Sequence, residues 1–154
     1  LAELSGRNVR AVVDATKELL MNVLKYKPFL IKPNNHELGE MFGVTLNDKD
    51  EIVKYAFRLR EMGARNVLIS MAGDGAVLVD ENDEVHSCGV CSGKVKNSVG
   101  AGDSMVAGFI AGAMSGDYEK ALHLGTASGG ATAFSEGLAK HDEIYELLKQ
   151  LEKN

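Results

Sequence analysis

Asn97-Ser98-Val99-Gly100-Ala101-Gly102-Asp103-Ser104 is a run of small residues that ends where an apolar segment, Met105 to Met114, begins. A helix predicted over Asp103 to Met114 starts with amides that have no partner inside the helix and that lie at the positive end of its dipole. Because Gly100, Ala101 and Gly102 carry at most a methyl group, an anion can approach those amides closely, and the junction reads as a phosphate site. Asp103 stands at its mouth. A carboxylate there can accept the proton of an attacking hydroxyl while the amides steady a phosphoryl group in transfer. The competing reading makes Asp103 an ordinary helix N-cap, a role in which Asp is common. Such a cap leaves the three small residues before it unexplained.

Toward the amino terminus, Val9-Arg10-Ala11-Val12-Val13-Asp14 and Phe29-Leu30-Ile31 are apolar runs separated by a helical stretch from Thr16 to Leu24. That pattern predicts two buried parallel strands and their crossover helix. Pro33-Asn34-Asn35 halts the second strand, and His36 to Phe42 reads as a short helix. Ile52, Tyr55, Ala56, Leu59 and Met62 recur at helical spacing, with Gly63 as a stop and Asn66 to Ser70 as a further strand. Gly73-Asp74-Gly75 turns the chain into Ala76 to Val79, and Glu81-Asn82-Asp83 leads to another extended run, Glu84 to Cys88, so a hairpin is predicted within residues 76–96. Beyond the small-residue loop, Tyr118 to Phe134 and His141 to Lys149 have helical character. The predicted fold is α/β, an open, mostly parallel sheet flanked by helices.

With 154 residues, 45% hydrophobic and 25% charged, the chain suits one soluble globular domain. The net charge of -5 and the scattered Lys and Arg argue against a nucleic-acid partner. Met105 to Met114 is shorter than the ~20 residues that span a bilayer, and no signal segment opens the chain, so no membrane association and a cytoplasmic location are expected. Leu1 to Gly6 reads like the end of a helix without an initiator Met, which suggests a piece of something longer. Cys88 and Cys91, with His86 nearby, resemble half of a zinc site or a redox pair. Lacking the other half, they are expected to be two small residues beside a strand. His123 and His141 are expected at surface or packing positions.

Two more segments carry candidate chemistry. Asn34-Asn35-His36-Glu37 follows the strand ending at Ile31, at the edge where open α/β sheets bind ligands. Asn34 and Glu37 offer hard oxygens suited to Mg²⁺, and equally a capping pair for the helix that follows. Ser70 to Gly75 repeats the pattern of a strand followed by a glycine turn, although Gly-Asp-Gly is also common in plain tight turns. The chain has no G-x-x-x-x-G-K-[ST], and the dinucleotide fingerprint fails because Lys94-Val95-Lys96-Asn97 precedes the glycines and Gly108 comes too late.

Taken together, the order and spacing of these segments resemble the carboxyl-terminal half of the ribokinase-like carbohydrate kinases, the phosphofructokinase B family. Asn97 to Gly108 looks like that family's second signature, and Lys27-Pro28-Phe29-Leu30-Ile31-Lys32-Pro33-Asn34 looks like its 1-phosphofructokinase branch. The resemblance covers residues 1–154 and implies ATP and Mg²⁺ as cofactors. It further implies Asp103 as catalytic base and Gly100, Ala101 and Gly102 as the anion hole. Asn34 and Glu37 match the family's N-x-x-E motif, implying a part in placing Mg²⁺ and phosphate. Lys32, Ser70, Ala72, Gly73, Asp74 and Gly75 would lie along the nucleotide, with Ala72 standing where many members have glycine. Ser128, in Ala127 to Ala133, would sit on the helix beside the adenine, for which a packing helix of small residues is an equal reading. The implied acceptor is a small sugar phosphate, fructose 1-phosphate giving fructose 1,6-bisphosphate, with tagatose 6-phosphate, another sugar or a non-catalytic nucleotide-binding role as alternatives. Full members carry most sugar contacts and a lid in an amino-terminal half, so the isolated segment is expected to be inactive; the resemblance leaves room for a homodimer.

Overall fold

The computed structural model describes residues 1, 7, 9–15 and 17–153. Its elements are β1 (Val12–Val13), α1 (Lys17–Val23), β2 (Leu30–Ile31), α2 (Asn35–Phe42), α3 (Lys49–Glu61), β3 (Asn66–Ser70), β4 (Ala76–Val79), β5 (Val85–Cys88), α4 (Ala101–Ala113), α5 (Tyr118–Phe134) and α6 (His141–Leu151). One five-stranded sheet follows chain order, β1-β2-β3-β4-β5. β1, β2 and β3 pair in parallel, with Val12 opposite Leu30 and Leu30 opposite Asn66. The links at residues 71–75 and 80–84 are too short for a parallel crossover, which takes about a dozen residues or more. The sheet thus combines the predicted parallel strands with the predicted hairpin, β4–β5, which falls within residues 76–96.

Contacts divide the described chain into two compact units, 1–71 with 77–85, and 72–76 with 86–154. In the first unit, Leu20, Leu24, Ile31, Leu38, Ile52, Ala56, Leu59, Val67, Ile69, Val77 and Val79 form one buried cluster. α3 begins where Asp48 accepts the Glu51 amide at 2.8 Å, and it buries Ile52, Ala56 and Leu59, which share one face at helical spacing. Asn66 is fully buried yet satisfied, its Nδ2 donating to the Phe29 carbonyl and its Oδ1 accepting the Glu81 amide. The β1 prediction was too long at both ends, Asn8 and Thr16 lie outside the described residues, and the reading of residues 1–6 falls mostly there too.

The second unit is helical and packs through small residues. A Cβ at Gly108 would collide with the Ser128 side chain and the Leu124 carbonyl. One at Gly112 would come within 2.5 Å of the Ala121 Cα. α4 and α5 therefore approach almost backbone to backbone, which accounts for the small residues of Ala127 to Ala133 as packing. Phe109, Ala121, Leu122 and Ala127 are fully buried there. Cys88 and Cys91 are free and buried, as the structural reading had it. Burial pushes both thiols up, Cys91 to about 11, with the neighbouring Cys88 adding to the effect. Among the described residues no helix is long and apolar enough to cross a membrane.

Candidate active site

The nominated residues fall into two sets, one per unit. In the first unit they gather at the carboxyl edge of β1, β2 and β3. The strand β2 ends at Ile31, so Lys32 leaves the sheet at this edge; it is 9% exposed, and its Nζ lies 3.4 Å from Asp14 Oδ2. Asp14 follows β1 directly, and no sequence pattern had marked it. Beyond Pro33, Asn34 forms an isolated parallel bridge with Ser70, and the Ser70 amide donates to the Pro33 carbonyl at 3.3 Å. Lys32, Asn34 and Ser70 are thus brought to one edge by the parallel pairing of β2 and β3.

Asn34 and Glu37 form a complete capping box. Asn34 Oδ1 accepts the Glu37 amide at 2.8 Å, and Glu37 Oε2 accepts the Asn34 amide at 2.8 Å. The two readings of this pair are therefore compatible, because the box uses one carboxylate oxygen of Glu37 and leaves the other without a partner among the described residues. A hard cation reached directly or through water suits that oxygen.

In the second unit, residues Ala72–Asp74 form a single 3-10 turn. Ala72 adopts φ 47° and Gly75 φ 87°. The left-handed region disfavours a side chain, so the departure from glycine at Ala72 has a conformational cost. Gly75 is also sterically required, because a Cβ there would run into the Cys88 carbonyl.

The start of α4 differs from the N-cap reading of Asp103. Gly100, with φ 80°, is the N-cap and provides no side-chain bond, while Asp103 lies within the first turn, exposed and capping nothing. Asn97 Oδ1 accepts the Val99 amide at 3.0 Å, and the Ala101 amide donates to the Ser98 carbonyl at 3.2 Å. Of the nominated amides, that of Ala101 is thus engaged in a turn, while those of Gly102 and Asp103 have no recorded partner among the described residues.

Ser128 is 4% exposed and its hydroxyl donates to the Leu124 carbonyl at 2.7 Å. It borders a cavity of about 270 Å³ shared with Ser104, Ala107, Gly108, Thr132 and Tyr145. Thr132, which sequence reasoning passed over, donates from Oγ1 to Ser104 Oγ at 2.8 Å and accepts the Ala139 amide. This links the first turn of α4 to α5 and to the approach to α6. No local spacing could have shown it, since the partners are far apart in the chain.

A model of the pfkB family of carbohydrate kinases matches residues 2–144. The chain belongs to that family. It is 49% identical over 146 residues to a 1-phosphofructokinase of Bacillus subtilis (strain 168), covering 94% of this chain and 48% of that one. It is 33% identical to a D-tagatose-1-phosphate kinase of Bacillus licheniformis, over 99% of this chain and 51% of the relative. The chain therefore spans about half the length of these curated relatives. Among solved structures, phosphofructokinase-2 from Escherichia coli in complex with fructose-6-phosphate matches with TM-score 0.88 and 27% identity, over 98% of this chain and 49% of that one. Arabidopsis thaliana ribokinase, complexed with ribose and ATP, matches with TM-score 0.79 at 20% identity over 96% of this chain and 50% of that chain, a likeness of fold. The fold is ribokinase-like, as the motifs implied.

Proposed function

We propose that this chain is the nucleotide-binding and catalytic-base portion of a kinase that transfers the γ-phosphoryl group of ATP to a hydroxyl of fructose 1-phosphate. The observation that carries the reading is the start of α4, where a left-handed Gly100 opens the helix and, among the described residues, neither the amides of Gly102 and Asp103 nor the Asp103 carboxylate has a hydrogen-bond partner. An N-cap carboxylate would bond a first-turn amide, which Asp103 does not do. Here Asp103 accepts the acceptor hydroxyl's proton as the oxygen attacks phosphorus, and the amides of Gly102 and Asp103 stabilise charge on the phosphoryl oxygens.

At the other set, Lys32 contributes a fixed positive charge toward the phosphates, and Glu37 holds its helix in place while presenting a carboxylate oxygen. Mg²⁺, when bound with the nucleotide, would neutralise phosphate charge, and Glu37 with Asn34 is the pair suited to hold it. The backbone of Ser70 to Gly75 flanks the nucleotide. Ser128 is left with a packing part, its hydroxyl being already bonded to Leu124.

The 49% identity to a 1-phosphofructokinase supports fructose 1-phosphate as acceptor, and the 33% identity to a D-tagatose-1-phosphate kinase favours tagatose 1-phosphate as a second reading. An ADP-release assay on the intact protein, run against both sugars and a panel of hexose phosphates, separates them. In the same protein Asp103→Asn is expected to lower kcat by about 10²- to 10⁴-fold while ATP still binds. Near-normal turnover of that variant removes the base assignment, and ATP binding without turnover by the unaltered protein points to a non-catalytic nucleotide-binding domain.

A further inference from the structure

Lys32 is an unusual residue to find 9% exposed, and Asp14 is the only charged partner recorded for it among the described residues. The sheet brings the two together. Val12 faces Leu30 and Val13 faces Ile31 in the parallel ladder, so the next step out of both strands is Asp14 beside Lys32. Their burial is unequal, the lysine side chain being 10% exposed and the aspartate 40%, so the pair meets solvent through its carboxylate. A lysine ammonium has three N–H donors and a carboxylate at 3.4 Å occupies one direction, leaving donors for another anion.

We propose that Asp14 is a positioning residue for nucleotide binding: it holds the Lys32 ammonium at the carboxyl edge of the sheet so that the remaining donors face phosphate oxygens. This rests on the nucleotide reading given above. A four-carbon side chain loses considerable rotamer freedom when its end is fixed, and a carboxylate that fixes it beforehand spares the incoming phosphate that cost. A purely structural ion pair would instead serve folding and leave nucleotide affinity alone.

The test uses the intact protein, with MgATP titrated calorimetrically into Asp14→Asn, Asp14→Glu, Lys32→Met and the Asp14→Asn/Lys32→Met double variant. Asp14→Asn is expected to weaken MgATP binding about 5- to 10-fold and to raise the KM for ATP without moving that for the sugar phosphate. Asp14→Glu should restore most of the loss, and in the Lys32→Met background Asp14→Asn should add less than about twofold, because the two residues act as one unit. The proposal is overturned if Asp14→Asn binds MgATP normally while Lys32→Met binds it weakly, or if the two losses simply multiply. Normal binding by Lys32→Met sinks the lysine's place in the nucleotide site itself, and the Asp14 proposal with it.

Discussion

The two sets of site residues are built from opposite materials. At the edge of β1 to β3 the chemistry lies in side chains: a buried ammonium against a carboxylate, and a capping box that secures Asn34 and Glu37. At the 72–76 turn and the start of α4 it lies in the main chain, in left-handed residues, open amides and missing Cβ atoms. Side chains can be repositioned by a neighbouring rotamer; a bare Cα held against a backbone carbonyl, as at Gly75, cannot accept even a methyl group without the backbone moving. The first set should therefore yield to substitution gradually, and the second abruptly.

Gly75 is where the contrast is sharpest. Gly75→Ala adds a methyl group to a residue at φ 87° and drives it into the Cys88 carbonyl, a backbone atom unable to swing aside. A loss of about 3 kcal/mol is expected from strain and overpacking together, read from the denaturant midpoint. A loss under about 1 kcal/mol would show that this turn is as forgiving as the side-chain set. The helical unit makes a second demand on its interior, in Cys91. Its thiol ionises near 9.0 when exposed and is pushed up to about 11 when folded, so below pH 9 both states are neutral. As pH rises from 9 toward 11 the unfolded thiol ionises first, and stability on the order of 2 kcal/mol is lost across that window. Comparing unfolding at pH 8 and pH 10.5 with the same pair for Cys91→Ala isolates the effect. An unchanged difference in the variant would assign the loss to other groups.

How far these features could be read in advance follows the same division. Asn66 to Ser70, Ala76 to Val79 and Tyr118 to Phe134 were bounded correctly, because continuous apolar runs and capping residues are local signals. The glycine at 100 announced an unusual backbone, and its order with Gly102 and Asp103 carried the family. What stayed hidden was relational. Asp14 becomes meaningful only once parallel pairing sets it beside Lys32, and Thr132 only once α5 lies against α4.

In the side-chain set, Glu37→Ala removes the acceptor of the Asn34 amide and should cost about 1 kcal/mol in thermal or chemical unfolding, with Glu37→Gln losing only part of it. If both variants keep full stability and nucleotide affinity falls only in one, the box is dispensable and the oxygen's part is in binding alone. The smallest effect expected is also the one that runs the other way. Ala72 sits at φ 47°, where an L-residue is disfavoured by roughly 1 kcal/mol, so glycine would relieve strain in the folded state. Glycine also loosens the unfolded chain, which opposes the gain by about 0.4 kcal/mol or more. Ala72→Gly is therefore expected to stabilise by only about 0.5 kcal/mol. A destabilisation of that size would instead mean the unfolded-state term prevails and that the 72–76 turn is shaped by Gly75 alone.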